Sequence, residues 1–439
     1  MHDDSHRNSG RDPLLDRLIA VESDIKSGRL REAAATLDAL AAANPADFRV
    51  HMTAALLGRT AANARLELES LRRAVAAAPR NWRVRVEQAK ALSRRDRHAE
   101  AVAAAQASVD LAPQELAAME VAVAVADAAG DLAGAQRYLQ AAHDLKPADV
   151  AIRRALGVNL ARQGRYLDAE PHLRAVLATS PDDLPALEWL GSTLIGLDRR
   201  DEALAVLHRV QALAPDDPNL PFHLALARGE TPATQPDAMV RAVFDAYAHR
   251  FDGHLLGKLH YRVPQRMAGI IRTRMPVPSS VLDLGCGTGL VGKFLGGTGA
   301  KLVGVDLSPR MLERARRLGV YADLRCAPLL DELHATAPES VDFITAADVF
   351  IYVGDLGGVI PAAFAALRRG GALIFSCELA ADDEGALVLR ASKRYAHSVS
   401  SVRALCRAAG FAGCEVEALT LRLENEQPID GYIAIAEKR

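Results

Sequence analysis

Small residues recur with one fixed period through the first half of the chain. Prolines stand 34 residues apart at Pro45, Pro79, Pro113, Pro147, Pro181 and Pro215. Counted back from these prolines, one column of small residues includes Ala55 and Gly157, and another includes Ala33 and Ala101. Small side chains are needed where two short helices cross closely, and a proline ends the second helix of each pair. The pattern predicts a stack of helical hairpins, one in every repeat.

The second half changes to short buried strands that alternate with helices. Strands are predicted at Ser280–Leu284, Lys301–Asp306, Val341–Ala346 and 372–377, with helices at about 288–297, 308–318, 357–369 and 399–409. This alternation favours a parallel sheet that is covered by helices on both faces. Two further extended runs, near 413–421 and 430–437, have no helix between them. They predict an antiparallel hairpin at one edge of the sheet.

The length of 439 residues requires two or more cores. Residues 229–237 read GETPATQPD and are rich in glycine, proline and polar residues, which indicates a linker. The expected organisation is a disordered N-terminus over 1–13, a repeat domain of six repeats and a capping helix over 14–228, a linker over 229–238 and an α/β domain over 239–439. The predicted fold class is an α-helical solenoid followed by a Rossmann-like, seven-stranded α/β domain.

A glycine-rich loop follows the first predicted strand and reads Asp283-Leu-Gly285-Cys-Gly287-Thr-Gly289. Glycines are needed where the backbone turns sharply and a ligand lies against it. Asp283 would repel a pyrophosphate, whereas it would attract a cationic sulfonium group and its ammonium group. Asp306 ends the second strand, and its two carboxylate oxygens can accept hydrogen bonds from both hydroxyls of a ribose.

The two halves resemble two known families. The first resembles the tetratricopeptide repeat family over about 14–217, and the second resembles the class I methyltransferases over about 239–439, through the DLGCGTG loop, Asp306 and the terminal hairpin. The second resemblance implies S-adenosylmethionine as the cofactor. The segment through Leu259-His-Tyr261-Arg-Val-Pro264 further resembles a bacterial group of methyltransferases that carry tetratricopeptide repeats. Cofactor-binding roles are carried over to Tyr247, Asp283, Gly285, Cys286, Gly287, Asp306, Leu307, Met311, Asp323, Leu324 and Asp348.

Several of these roles have an alternative. Tyr247 lies in a stretch that resembles the opening helix of small-molecule methyltransferases, where it would contact the methionine part of the cofactor or pack as a lid residue. Met311 is expected against the adenine face. Asp323 would accept from the adenine amino group or form a simple turn. Cys286 also fits as a small residue that fills the loop. Asp348 follows the fourth strand, at the edge where ligands bind in such sheets.

Three residues are candidates for contact with the methyl acceptor. Tyr395 and His397 follow the fifth strand, and Arg422 lies in the terminal hairpin. His397 has the side-chain pKa suited to a general base, although an isolated histidine is also common at helix starts and surfaces. Arg422 would hold a carboxylate through its planar fork or pair with Glu378 or Glu424.

Composition narrows the possible partners. The formal net charge is −2, so no strong overall field attracts nucleic acid or a membrane surface. The N-terminus lacks an apolar signal-like run, and the five cysteines form no C-x-x-C pair, which favours a cytoplasmic protein. His249, His254 and His260 do not share a helical face, so no metal site is expected.

The sequence leaves the acceptor and the repeat partner open. A repeat array presents a concave surface, so we expect a protein or peptide partner, with a spacer as the plainer alternative. The acceptor is a small molecule, or a peptide or protein that the repeats recruit. Absence of an Asn/Asp-Pro-Pro-Tyr signature at Ala347–Phe350 weighs against methylation of adenine or glutamine amides. One alternative function is a scaffold with a vestigial cofactor fold. Another is an NAD-dependent oxidoreductase, although the glycine spacing and Asp283 disfavour it.

Overall fold

A computed structural model of the chain describes residues 12–248, 251, 261–390, 392–424 and 427–439. The chain divides into two compact units, Met1–Thr179 and Ser180–Arg439. The first unit contains helices α1 (Pro13–Lys26), α2 (Leu30–Ala43), α3 (Phe48–Thr60), α4 (Ala64–Ala77), α5 (Trp82–Ser93), α6 (His98–Leu111), α7 (Leu116–Ala129), α8 (Leu132–Leu145), α9 (Val150–Arg162) and α10 (Tyr166–Thr179). None of the described helices combines the length and the apolar character that a membrane span needs.

The second unit begins with helices that continue the repeat pattern and goes on to an α/β domain. Its helices are α11 (Leu184–Gly196), α12 (Arg200–Leu213), α13 (Leu220–Ala227), α14 (Asp237–Tyr247), α15 (Val263–Arg274), α16 (Leu290–Leu295), α17 (Pro309–Leu318), α18 (Leu329–Ala335), α19 (Val359–Ala366) and α20 (Val399–Ala409). Its strands are β1 (Ser280–Leu284), β2 (Lys301–Asp306), β3 (Asp323–Cys326), β4 (Val341–Ala346), β5 (Leu367–Ala380), β6 (Leu387–Leu389), β7 (Tyr395–Ser398), β8 (Gly413–Glu424) and β9 (Gln427–Glu437).

The helical hairpins form for the reasons that the repeat pattern indicates. An aspartate before a helix caps it, as where the Asp183 side chain accepts the backbone N–H of Ala186 at the start of α11. The helices of a pair approach closely at the small-residue columns. A Cβ atom at Gly191 on α11 would lie 2.7 Å from the Leu207 side chain on α12, so a larger residue would force the pair apart.

Nine strands of the described residues form one sheet, and β3, β2, β1, β4 and β5 lie side by side and parallel. β9 runs antiparallel to β5, and β8 completes the predicted hairpin at that edge. The end of β5 extends beyond these pairings, and its residues Glu378–Ala380 pair with β7, which pairs in turn with β6. The β6–β7 pair adds two strands to the seven that the sequence predicts.

Apolar side chains cover both faces of the sheet. Successive residues of one strand enter different cores, as Phe343 does on one face and Ile344 on the other. Strands buried on both faces are typical of parallel sheets that lie between helices. All the carboxyl ends of β1, β2, β3 and β4 therefore meet at one edge.

The predicted linker lies along the segment that follows β4. Thr234 forms an antiparallel bridge with Val353. The N–H of Gln235 donates to the carbonyl of Tyr352 at 3.1 Å, and the N–H of Asp355 donates to the carbonyl of Ala233 at 2.7 Å. Backbone hydrogen bonds on both sides of the bridge fix residues 233–235 as a strap on the α/β domain.

Candidate cofactor site

A cavity of about 880 Å³ opens at the carboxyl ends of the parallel strands. Of the residues singled out in the sequence, it is lined by Asp283, Gly285, Cys286, Gly287, Asp306, Leu307, Asp348 and Arg422. Met311, Asp323, Leu324, Tyr395 and His397 do not line it. The side chain of Tyr247 lies outside the described part of the chain.

The glycine-rich loop passes through a backbone conformation that favours glycine. Gly285 and Gly287 have φ angles of +59° and +56°, in the left-handed region. A Cβ atom at Gly285 would also lie 2.5 Å from the side chain of Val349, which follows β4. The N–H of Cys286 donates to the carbonyl of Val305 at 2.9 Å and so ties the loop to β2.

Cys286 lines the cavity, and its side chain also fills space within the glycine-rich loop. Its side chain is 7 % exposed, and a Cβ atom at Gly304 on β2 would lie 2.9 Å from its sulfur. Burial raises the pKa of the Cys286 thiol well above its usual value. A neutral, packed thiol fits the loop-filling role that the sequence left open beside cofactor contact.

Asp306 is held by the backbone of the loop it faces. Its carboxylate accepts the N–H of Gly287 at 2.9 Å and the N–H of Ser308 at 2.8 Å, one on each oxygen. Burial raises the pKa of Asp306, and these amide hydrogen bonds oppose the shift. Each oxygen keeps acceptor capacity, because an ionised carboxylate offers about four lone-pair sites. The group is therefore fixed in position and still able to accept hydrogen bonds from a ligand in the cavity.

Asp283 lies deeper and is held by side chains. It is 1 % exposed, and it accepts hydrogen bonds from the Tyr321 hydroxyl at 2.6 Å and the Thr345 hydroxyl at 2.7 Å. Burial is the main cause that raises the pKa of Asp283 to about 6, and the charge of Asp306 adds to the shift. A cation bound beside it would favour its ionised form.

Tyr321 is a supporting residue that sequence reasoning missed. Its hydroxyl group donates to Asp283 and accepts the N–H of Gly292 on α16 at 3.2 Å. A Cβ atom at Gly292 would lie 2.5 Å from the Tyr321 ring, so the close approach requires glycine there. Tyr321 joins the acid at the end of β1 to the helix after the loop. No spacing pattern marks it, since it follows α17 as a lone aromatic residue.

The register of β3 revises the expected adenine contacts. Asp323 begins this strand and pairs with Val303, whereas Cys326 at the other end pairs with Asp306. Asp323 is therefore distant from the carboxyl edge, and its exposed carboxylate pairs with Arg325 at 2.7 Å. Ala327 and Asp331 follow the end of β3 and line the cavity in its place.

Leu324 and Met311 also differ from their expected positions. A Cβ atom at Gly304 would lie 2.8 Å from the Leu324 side chain, which packs across the sheet rather than into the cavity. Met311 is fully buried on α17, where its N–H donates to the capping hydroxyl of Ser308 at 3.1 Å. Neither side chain lines the cavity: Met311 is buried, and Leu324 is half-buried beside Gly304.

Tyr395 and His397 do not serve the cavity as the sequence led us to expect. Both lie on the buried strand β7, with exposures of 0 % and 3 %. The Tyr395 hydroxyl donates to the carbonyl of Pro232 at 2.8 Å, and Nε2 of His397 hydrogen-bonds to the carbonyl of Gly354 at 2.8 Å. Burial lowers the pKa of His397. These contacts make the two residues part of the buried packing of β7 against Pro232 and the segment after β4, so neither is placed to contact an acceptor in the cavity.

Arg422 on β8 lines the cavity, but its guanidinium group already forms ion pairs with two carboxylates. It is 4 % exposed and donates to Asp348 at 2.9 Å and to Glu378 on β5. Glu378 is one of the ion-pair partners that the sequence left open, whereas the side chain of Glu424 lies outside the described residues. Arg422 therefore joins β5, β8 and the loop after β4 through a buried cluster of charges.

A group of aromatic residues also lines the cavity, and the sequence analysis assigned none of them a role there. It comprises Phe244, Phe251, Tyr261 and Tyr352, with the Arg394 guanidinium beside them. The ring of Phe244 meets that of Tyr352 edge-on at 5.3 Å and that of Phe251 at 6.0 Å. Aromatic residues make up 5 % of the chain, so their concentration here is a distinct feature of the cavity wall.

The described residues contain no group of three or more histidine, cysteine, aspartate or glutamate side chains placed to hold a metal ion. His249, His254 and His260, which the sequence analysis considered, lie outside the described residues.

Comparison with known proteins gives both parts of the chain a family context. Residues 282–375 match the family described as Methyltransferase domain. Residues 68–115, 124–183 and 160–220 match tetratricopeptide repeat families.

Curated relatives resemble the second half. The chain is 33 % identical over 123 residues to the ubiquinone biosynthesis O-methyltransferase of Bordetella pertussis, covering 27 % of this chain and 51 % of that protein. It is 29 % identical over 202 residues to the protein of the same name from Thiobacillus denitrificans, covering 42 % and 86 %. The chain thus spans about half the length of the first curated relatives that it matches.

Two solved structures illustrate the two halves. The magnesium protoporphyrin IX methyltransferase of Synechocystis with bound S-adenosylhomocysteine is 18 % identical, with 46 % of this chain and 99 % of that chain covered and a TM-score of 0.38. YrrB, a tetratricopeptide repeat protein with an unusual peptide-binding site, is 19 % identical, with 44 % and 96 % covered and a TM-score of 0.37.

The chain therefore carries a methyltransferase domain, and tetratricopeptide repeats precede it. The predicted fold class is confirmed, as is the prediction of a methyltransferase domain behind tetratricopeptide repeats.

Proposed function

We propose that this protein binds S-adenosylmethionine at Asp306 and the glycine-rich loop and directs its methyl group to an acceptor in the same cavity. The observation that supports this most directly is the Asp306 carboxylate, which two backbone amides fix at the carboxyl edge of the sheet. A scaffold with a vestigial site has no need for this arrangement.

The residues present fit the cofactor by charge and shape. Asp306 would take the ribose hydroxyls, Asp283 would face the cationic amino-acid end, and the backbone of Gly285 and Gly287 would let the ligand lie close. Ala327 and Asp331 replace Asp323 on the adenine side. The cofactor would supply an activated methyl group: the acceptor atom bonds to the methyl carbon and loses its proton, while the bond from that carbon to sulfur breaks and the neutral thioether leaves. The protein then has to orient the acceptor and exclude water.

We propose a small-molecule acceptor with a planar ring and an oxygen nucleophile. The rings of Phe244, Phe251, Tyr261 and Tyr352 form a wall suited to a planar group. The relatives named above are O-methyltransferases, which favours oxygen. A cavity of about 880 Å³ is at the upper end of the range of roughly 300–1,000 Å³ for ligand pockets. A peptide that the repeats recruit is the alternative acceptor, and the repeats would bind a protein segment in either case.

Calorimetry with S-adenosylhomocysteine tests the cofactor assignment. We expect Asp306→Asn to weaken binding at least tenfold, because a charge-assisted hydrogen bond to a hydroxyl is worth about 1.5–3 kcal/mol. Asp323→Asn, on the neighbouring strand, is the matched control and should bind like the unaltered protein. Absence of binding by the unaltered protein would favour the vestigial scaffold.

Transfer of a labelled methyl group into a lysate of the source cells tests the acceptor class. Label in the small-molecule fraction supports the proposed acceptor, and the Asp306→Asn control should transfer less label because it binds the cofactor more weakly. Label in a protein band would instead show that the acceptor is a polypeptide.

A further inference from the structure

Two adjacent residues of the turn between β6 and β7, Lys393 and Arg394, contact different parts of the second unit. Arg394 lines the aromatic side of the cavity. Lys393 instead reaches α11, where its ammonium group donates to the Ser192 hydroxyl at 3.1 Å. The turn is closed by two backbone hydrogen bonds of 2.8 Å, from the N–H of Arg390 to the carbonyl of Arg394 and from the N–H of Lys393 to the carbonyl of Arg390.

The contact at Ser192 is partly buried. Ser192 is 8 % exposed, and burial lowers the pKa of Lys393. His223 on α13 lies nearby, and burial together with the charge of Lys393 lowers its pKa to about 4. His223 is therefore neutral at pH 7, so Lys393 brings a single positive charge to this place. Within the described part of the chain, no carboxylate forms an ion pair with that ammonium group, and Ser192 is the partner that fixes it.

Lys393 also has a strained backbone. Its φ angle is +62°, in the left-handed region that costs a residue other than glycine about 1–3 kcal/mol. Such a conformation persists where surrounding contacts hold it. It lets consecutive side chains diverge, so that Lys393 faces the repeat helix while Arg394 faces the cavity.

The same turn is bonded to the strap and to the segment after β4. The carbonyl of Lys393 accepts from the side-chain amide of Gln235, and the N–H of Tyr395 donates to the carbonyl of Ile351 at 2.9 Å. The Tyr395 hydroxyl reaches the carbonyl of Pro232. Gln235, Ile351 and Arg394 all line the cavity. One bonded assembly therefore forms this wall, and Lys393 connects it to α11.

We propose that Lys393 is a positioning residue for the acceptor: by anchoring the β6–β7 turn to Ser192 on α11, it sets Arg394 and the neighbouring wall of the cavity. The last repeat then takes part in acceptor recognition and is more than a tether. This inference rests on the proposed function only in assigning the aromatic side of the cavity to the acceptor.

Hydrogen–deuterium exchange on the full-length protein tests the anchor. The amides of Gln235, Asp355 and Tyr395 cross between the bonded segments, so they report on the wall directly. We expect Lys393→Ala and Ser192→Ala each to speed exchange of these amides at least tenfold. Ser192→Thr keeps the hydroxyl and should exchange like the unaltered protein. Lys301→Ala removes an exposed lysine from β2 and is the matched control.

Cofactor affinity and acceptor kinetics separate positioning from general damage. Lys393→Ala should bind S-adenosylhomocysteine within twofold of the unaltered protein and should raise the KM for the labelled acceptor fraction. The inference is overturned by unchanged exchange in Lys393→Ala, by a Ser192→Thr protein that resembles Ser192→Ala, or by a cofactor loss as large as that of Asp306→Asn. Failure of the unaltered protein to bind S-adenosylhomocysteine would refute the proposed function and leave the exchange result to decide the anchor.

Discussion

Asp283 and Asp306 share the cavity, but different parts of the chain hold them. Side-chain hydroxyls hold Asp283, and backbone amides hold Asp306. Burial raises the pKa of both carboxyl groups, and the charge of Asp306 contributes to the shift of Asp283. Two acids in one low-dielectric site disfavour each other's ionisation, and a bound cation relieves this.

The sign of the pH dependence follows from the raised pKa of Asp283. That pKa is about 6 in the folded protein, against a usual value of 3.8, so the folded chain holds the proton more tightly than the unfolded chain. In the ligand-free protein this group adds stability at low pH, and the contribution is lost as pH rises from about 4 to about 6. Binding of a cationic ligand has the opposite dependence, because it needs the ionised carboxylate.

We therefore expect S-adenosylhomocysteine, through its ammonium group, to bind more tightly as pH rises through 6, by up to about tenfold per pH unit below the pKa. Calorimetry between pH 5 and pH 8 measures this. Asp283→Asn should bind weakly with a flatter profile, and the slope that remains belongs to Asp306. A steep profile that survives in Asp283→Asn would place the titrating group elsewhere.

Local signals in the sequence allowed the residues of the glycine-rich loop to be predicted. Gly285, Gly287 and Asp306 depend on a short motif and on the end of the next strand, so their positions follow from nearby residues. Asp323 and His397 depend on strand register and on distant partners, such as Val303 and Gly354. Spacing along the chain carries no information about those pairings.

At the scale of elements, the same distinction separates the predicted strands from the missed ones. β1, β2 and β4 are short, mainly apolar runs, so they can be recognised from the local sequence. β6 and β7 are short, and β7 is buried because the extended end of β5 pairs with it. The terminal hairpin was predicted, but the sequence did not show that β8 carries Arg422 to Asp348 and Glu378.

We expect Arg422→Met to lower the free energy of unfolding of the second unit by about 3–5 kcal/mol, because it leaves buried carboxylates without their partner. Arg266→Met is the matched control. Arg266 on α15 forms an exposed ion pair at 2.6 Å with Glu417, which lies on β8, the strand that also carries Arg422. Arg266→Met should cost about 1 kcal/mol or less. Denaturant unfolding gives both values. The contrary result is equal stability of the two variants, with methyl transfer lost in Arg422→Met alone. That result would show that Arg422 contacts the acceptor, as the sequence analysis considered.

At the scale of the whole molecule, the division of the chain differs from its change in composition. Composition places the boundary at the linker 229–238, whereas the second compact unit begins at Ser180 and includes α11, α12 and α13. The repeats resemble one another in sequence, so the period cannot tell which hairpin packs with the α/β domain. That choice depends on a few contacts, such as Lys393 with Ser192 and Tyr395 with Pro232.

Two fragments of the protein would distinguish these boundaries. The fragment 180–439 keeps α11 and α13, and the fragment 229–439 loses both together with Ser192 and His223. Removal of these helices leaves the Lys393 turn without its anchor, so we expect the shorter fragment to melt at a lower temperature. For units of this size, each kcal/mol of lost stability lowers the melting temperature by about 2–4 °C.

The measurement is thermal unfolding of both fragments with and without S-adenosylhomocysteine. If α11 and α13 belong to the catalytic unit, the longer fragment should melt higher, and the amide of Tyr395 should exchange more slowly in it. The ligand should stabilise both fragments, because Asp283 and Asp306 are present in each and binding to the folded state alone raises its stability. Equal melting temperatures and equal exchange would show that the unit ends at the linker, where composition changes, and that the last repeat is a separate module.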